Sequence, residues 1–260
     1  MYMKKKSILL AATAVMLVAA MSIGGMLAYF TDTDTKTNTF TVGNVDITLE
    51  EPKWDADVEH VLMPGTTFAK DPTVKNVGSE SAYMFLTIDL NKYVSLLNLM
   101  GVDAAHDEAI AGYTEHTSLA SFVQAIAADN DLRAQILGKW FGDINHSDWK
   151  VMNVDEITAA IAAAATQTNP SHLKVVLGYI GTENDQLAPG ASVQFMSSFG
   201  IPGSVTQEMM TGDLAYHSNF NTVATDFQMT FTASAIQAAE IDGIDAAYAN
   251  LFPNGAYTEF

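Results

Sequence analysis

Threonine stands at every second position from Thr31 to Thr41, and Asp32, Asp34, Lys36, Asn38, Phe40 and Val42 fill the positions between. Successive strand residues point to opposite faces and β-branched side chains suit the pleat, so this period of two predicts an extended strand with one threonine face. At roughly 3.3 Å per residue, a dozen such residues reach about 40 Å. Past Gly43-Asn44 the apolar phase slips by one residue to Val45, Ile47 and Leu49. A slip of one exchanges the faces of a strand, so Gly-Asn reads as a bulge or bend dividing a polar arm from a core strand.

The same period returns further on. Met84, Leu86, Ile88 and Leu90 alternate with Phe85, Thr87 and Asp89, and Phe227, Met229, Phe231, Ala233 and Ala235 alternate with Gln228, Thr230, Thr232 and Ser234. Both predict half-buried antiparallel strands. HLKVVLGYI (172–180) and SVQFMSSFGI (192–201) predict two more, with less regular alternation. Leu62-Met-Pro-Gly-Thr-Thr-Phe68 is echoed by Leu187-Ala-Pro-Gly-Ala-Ser-Val193. In each, proline fixes φ at the second turn position and glycine accepts a positive φ at the third, the requirement of a type II turn ahead of a strand.

Between these strands the period changes. Leu119, Phe122, Val123 and Ile126 follow helical spacing behind Thr117 or Ser118 as N-cap, and Leu132, Ile136, Trp140 and Phe141 line a second helix from about Asn130 to a stop at Gly142. DEITAAIAAAATQTNP predicts a third, capped near Asp155 and ended before Pro170, and a short helix is expected around Asp245 to Leu251. Strands on both sides of a helical block at about 92–168 fit a mainly β chain, an antiparallel β-sandwich with a helical insertion.

The N-terminus sets Lys4, Lys5 and Lys6 before an apolar run from about Ser7 to Ala28, interrupted by Gly24-Gly25. That order is a secretory signal, although roughly 20 apolar residues also suffice for a retained membrane anchor. Small residues near Ala28 favour cleavage there. The expected division is therefore a signal peptide over 1–28, an arm over 29–43 and a single sandwich domain over 44–260. No L-P-x-T-G signal or apolar tail precedes Phe260, so covalent wall attachment is not expected.

Charge and cysteine content narrow the function. With 12 Lys plus Arg against 30 Asp plus Glu, the chain carries a net charge of −18, which opposes an electrostatic grip on nucleic acid or anionic lipid. Membrane contact is expected only through the uncleaved signal segment. The absence of cysteine removes disulfides, thiolate ligands and cysteine nucleophiles.

His60, His106, His116, His146, His172 and His217 are dispersed, with no H-E-x-x-H zinc signature, no G-x-S-x-G elbow and no Walker loop. The pairs Asp32 with Asp34 and Asp143 with Asp148 lack the EF-hand pattern and read as solvated charge. Trp140, Phe141 and Trp149 are either a carbohydrate platform or core, and the helical spacing favours core. No catalytic residue, metal ligand or cofactor is assigned.

The run Ala28-Tyr29-Phe30-Thr31-Asp32, then Phe40-Thr41-Val42-Gly43-Asn44-Val45-Asp46-Ile47, behind Lys4-Lys5-Lys6 and Gly24-Gly25, resembles the N-terminus of the TasA/camelysin family of bacterial surface proteins. Pro64-Gly65, the stretch Lys70 to Ser79 with the strand after it, and FTASAIQA (231–238) resemble further parts of that family. The resemblance implies a jelly-roll-like sandwich, secreted to the matrix or surface of a Gram-positive-type bacterium. It also implies a signal cut between Ala28 and Tyr29 by a signal peptidase of the SipW type. In fibre-forming members the freed N-terminus enters the sheet of the next subunit. Carried onto this chain, the donor arm comprises Tyr29, Phe30, Thr31, Thr33, Thr35, Thr37, Thr39, Phe40, Thr41 and Val42. The partners are then further copies of the chain, the signal peptidase and an accessory fibre-anchoring protein. A monomeric adhesion module and a camelysin-like metallopeptidase are the other readings.

Overall fold

The computed structural model describes residues 45–55, 60–106, 119–164, 172–211 and 227–256. In chain order these form β1 (Ile47–Glu50), β2 (Thr67–Ala69), β3 (Thr73–Asn76), β4 (Ala82–Asn91), α1 (Tyr93–Ala105), α2 (Leu119–Ala128) and α3 (Asn130–Trp140). There follow β5 (Phe141–Gly142), β6 (Trp149–Val151), α4 (Val154–Ala164), β7 (His172–Tyr179), β8 (Ser192–Gln194), β9 (Ser198–Gly200), α5 (Gln207–Thr211), β10 (Met229–Gln237) and α6 (Ile244–Leu251). All lie in one compact unit, Thr39–Phe260.

Among the described residues the strands make three sheets, ordered β1-β3-β8, β10-β4-β7-β6 and β2-β9-β5. Every strand pair within them is antiparallel. The described residues are thus mixed α/β, with six helices beside these sheets, where mainly β was expected.

The four-stranded sheet supplies the frame. Its centre, β4, sends Met84, Leu86 and Ile88 into the main core and Tyr83 and Phe85 to the opposite face, under Ile244 and Ala247 of α6. Covered on both faces, β4 is fully buried from Ala82 to Leu86 rather than half-buried. The outer strand β10 is covered on its second face only near its end, where Ile236 packs against the cluster under α6, and it keeps the alternation, with Met229, Phe231, Ala233 and Ala235 on the core side and Thr230 and Thr232 exposed. At the opposite rim, β6 is three residues long and carries exposed Lys150 paired with Asp245 at 3.0 Å.

The helical block is real but broken by β5 and β6 before α4. α1 escapes any amphipathic reading because it is buried nearly all round, through Tyr93, Leu96, Leu99, Met100 and Val102 among others, and such a helix has no polar face to set a period. α3 begins as expected, its N-cap Asp129 accepting from the amides of Asp131 and Leu132 at 3.0 Å each. α6 matches its expected span to within one residue.

Both Pro-Gly turns form. Gly65 and Gly190 have φ of +78° and +77°, and the Met63 and Ala188 carbonyls accept from the Thr66 and Ala191 amides at 3.0 and 3.1 Å. The stretch 192–201 is not one strand. Phe195, Met196 and Ser197 carry the chain from β8 in one sheet to β9 in another, and a single period cannot span two sheets. At Gly200 a Cβ would collide with the Thr66 carbonyl and Thr67 Cα, so the close approach of β2 to β9 depends on glycine.

Candidate functional site

Beside the start of β10 the surface opens into a cavity of about 400 Å³ lined by Trp54, His60, Leu62, Phe68, Phe199, Phe227 and Met229, with Lys70 at its wall. Its walls are held by ring contacts. The Trp54 and His60 rings stack at 3.9 Å, His60 meets the Phe68 edge at 5.0 Å, and Phe199 stacks on Phe227 at 5.5 Å. Lys70 is 7% exposed, placed by its amide's bond to the Ser197 carbonyl at 3.1 Å. Its Nζ lies 2.8 and 2.9 Å from the two Glu51 carboxylate oxygens and 4.0 Å above the Trp54 ring. A buried ammonium is tolerable only when so compensated, and the π face of tryptophan adds to the carboxylate. With the lysine's charge engaged in this way, Gln228 and Thr230 complete a cavity lining of mixed polarity.

The cavity adjoins an open sheet edge. β10 pairs with β4 over nine residues, from Met229 opposite Leu90 to Gln237 opposite Ala82, and among the described residues no strand hydrogen-bonds its other side. Such an edge is a template for another strand.

The sequence-predicted site residues, from Ala28 and Tyr29 through Val42, lie outside the described residues. Of the cavity wall, Leu62, Phe68, Phe199, Phe227 and Met229 belong to patterns legible in the sequence. Trp54 and His60 fall in a segment without period, and no local signal brings them beside Lys70.

Trp140 and Trp149 are buried, and Phe141 packs on Phe199 at 5.2 Å, so this trio is core. Asp143 accepts from Ser197 Oγ at 2.9 Å, and Asp148 accepts from Asn145 Nδ2 at 2.9 Å.

A family model described as camelysin metallo-endopeptidase matches residues 2–188, more than half of the chain and inclusive of every element from β1 to β7. The chain belongs to the camelysin family. No curated protein matches it. Membership confirms the family resemblance drawn from the N-terminal residues and implies a secreted or surface protein. The match stops before β8, so β10, α6 and the resemblance of 231–238 fall outside it.

The camelysin description names a metallo-endopeptidase, and a catalytic zinc typically takes three protein ligands. Among the described residues no three His, Asp, Glu or Cys side chains come together to hold a metal ion. His106 Nδ1 lies 2.9 Å from the Val102 carbonyl, and His172 pairs with Asp89 at 2.6 Å. His60 is stacked in the cavity wall, and His116 and His217 lie outside the described residues. The described ligand types do not fit a zinc centre. Among the described residues, no helix is long and apolar enough to cross a membrane.

Three tyrosines titrate abnormally, for structural reasons. Burial raises Tyr93. Burial and then the Asp148 charge raise Tyr179, and burial and then Glu156 raise Tyr248. A folded-state value above the unfolded one contributes stability that is whole below about pH 10 and is lost as pH climbs through the folded value. The urea midpoint is therefore expected to hold from pH 8 to 9.5 and to fall steeply above about pH 10.5. A flat midpoint across pH 11 would contradict the burial of these hydroxyls.

Proposed function

We propose that this camelysin-family chain is a secreted structural subunit of extracellular matrix or surface fibres, and that residues 29–42 of one copy add as a strand to the sheet of the next. On this reading, cleavage between Ala28 and Tyr29 releases the arm, and the body is a jelly-roll-like sandwich completed by its neighbour. The observation that supports it is that, among the described residues, no strand hydrogen-bonds the outer side of β10, which is nine residues long, in a chain whose N-terminal arm has strand periodicity of its own. A strand added to an open edge gains main-chain hydrogen bonds, and a head-to-tail contact that does not close propagates into a filament. Loss of Lys4, Lys5 and Lys6 with the signal segment takes the net charge from −18 to −21, which suits a soluble subunit that associates through backbone rather than ionic contacts.

The test compares the secreted chain with one lacking residues 29–42, by electron microscopy and by pelleting. Pelletable filament is expected to drop at least about tenfold without the arm, and N-terminal sequencing of the mature chain is expected to begin at Tyr29. Filaments of equal mass and length from both chains would overturn the proposal.

The family description favours one other reading, a metal-dependent endopeptidase. Casein cleavage by the purified chain that chelator abolishes and zinc restores would establish it.

A further inference from the structure

We propose that the cavity beside β10 binds a small neutral aromatic group, its ring among the aromatic side chains of the wall and its one hydroxyl or amide beside Gln228 and Thr230. A single copy carries the whole site, so the inference goes beyond the fibre reading and does not depend on it.

Neither sign of charge finds a partner in this cavity. Lys70 is the ammonium of the wall, and the two Glu51 carboxylate oxygens lie 2.8 and 2.9 Å from its Nζ. An incoming anion would have to displace that carboxylate, on a chain whose net charge of −18 already repels it. A cation would meet the like charge of the lysine. Trp54 offers it little, because Lys70 Nζ stands 4.0 Å over that ring and the His60 ring stacks on it at 3.9 Å. Moving an unpaired charge from water into such surroundings is costly, so the occupant is neutral.

The wall favours an aromatic body. Phe68 is held against His60 by an edge contact at 5.0 Å, and Phe199 and Phe227 stack at 5.5 Å. Walls fixed by their own contacts lose little freedom on binding, and a ring set among them gains the attraction of aromatic pairs. At about 400 Å³ the cavity is at the small end of the roughly 300–1,000 Å³ of ligand pockets, which suits a small molecule or one side chain of a larger one. Gln228 and Thr230 are exposed, and they bring an amide that both donates and accepts and a hydroxyl. An occupant without a polar group would cover them without replacing their water. One polar all round, such as a sugar, would press hydroxyls against Leu62 and Met229. A ring with a single hydrogen-bonding group satisfies both parts of the lining.

The experiment titrates the secreted full chain, followed by NMR, with 2-phenylethanol, phenylacetate and 2-phenylethylamine, which share a ring and differ in charge, and with glucose. 2-Phenylethanol is expected to bind at least about tenfold more tightly than the other three. It is expected to shift the Trp54 indole and Met229 methyl signals to saturation and to leave those of the buried Trp140 and Trp149 in place. Leu62→Trp, which places bulk in the cavity, is expected to weaken binding by about tenfold or more in chains that keep the wild-type melting temperature. Thr230→Ala, at an exposed position, is expected to weaken it by about threefold. N-acetylphenylalanine amide separates two sources of the same chemistry, since binding tighter than that of 2-phenylethanol assigns the ring to a peptide and weaker binding assigns it to a free compound. Equal affinity for the three phenyl probes, a preference for a charged probe or for glucose, wild-type affinity in folded Leu62→Trp, saturating shifts confined to other residues, or no saturable binding at all would each sink the proposal.

Discussion

Replacing Asp103 by alanine is expected to destabilise the chain by about 3 kcal/mol or more, seen as a lowered urea midpoint at neutral pH. Asp103 is buried at the C-terminal end of α1, where Oδ2 lies 2.7 Å from Lys139 Nζ of α3 and Oδ1 accepts from Ser204 Oγ at 2.6 Å. One carboxylate therefore ties two helices to the segment after β9. The substitution removes both bonds at once and takes the Asp103 carboxylate from the lysine head, which is 23% exposed. Pairing Asp103→Ala with Lys139→Met is expected to recover much of the loss, because a buried ion pair is expensive to break and cheap to replace by packed apolar groups. A loss below about 1 kcal/mol in the single variant would show that the pair contributes no more than a surface one.

Asn76→Leu is expected to cost about 3 kcal/mol, although the two side chains are close in size. Asn76 is wholly buried at the end of β3. Its Nδ2 donates to the Glu80 and Leu187 carbonyls at 2.8 and 2.9 Å, and its Oδ1 accepts from the Gly78 amide at 3.0 Å. Leucine would withdraw a partner from three backbone groups, of which the Gly78 amide keeps the Asp46 carbonyl and the Leu187 carbonyl keeps the Ala82 amide, and each hydrogen bond lost costs about 1 kcal/mol. Asn76→Asp keeps the acceptor and forfeits both donations, so it is expected to destabilise as well. Thermal melts of the two variants at one pH measure both effects.

How much of this was legible beforehand follows from what each face of an element touches. β10 was readable because one of its faces meets the core and the other meets solvent, so hydrophobic and polar residues alternate, with the strand starting two residues later than the pattern does. β4 was readable as a strand and misread in its burial, since Tyr83 and Phe85 are covered by α6, an element from the other end of the chain. The Pro-Gly turns were fixed locally by backbone sterics and form as expected. α1 and the break between β8 and β9 were hidden for opposite reasons, the first by burial on all sides and the second by strands too short for a period to register.

The site divides in the same way. The arm is a sequence pattern and was visible as one, whereas the cavity unites Trp54, His60, Lys70, Phe199 and Phe227 from five places along the chain. The pairing of β2 with β9, the Phe199–Phe227 and Trp54–His60 stacks and the Lys70 contact with Trp54 bring those places together. The Asp103 and Asn76 contacts are equally invisible in one dimension, since each links residues separated by tens of positions through a geometry no short motif encodes.

The two rims of the four-stranded sheet are unequal, and the inequality bears on growth. A three-residue border guarded by a lysine offers little purchase to a passing strand. If strands add as proposed, docking would be confined to one flank, and lateral fusion of sheets across the blunt flank would be discouraged. Subunits that accept on one side only would stack into thin, directional, unbranched threads rather than into plaques.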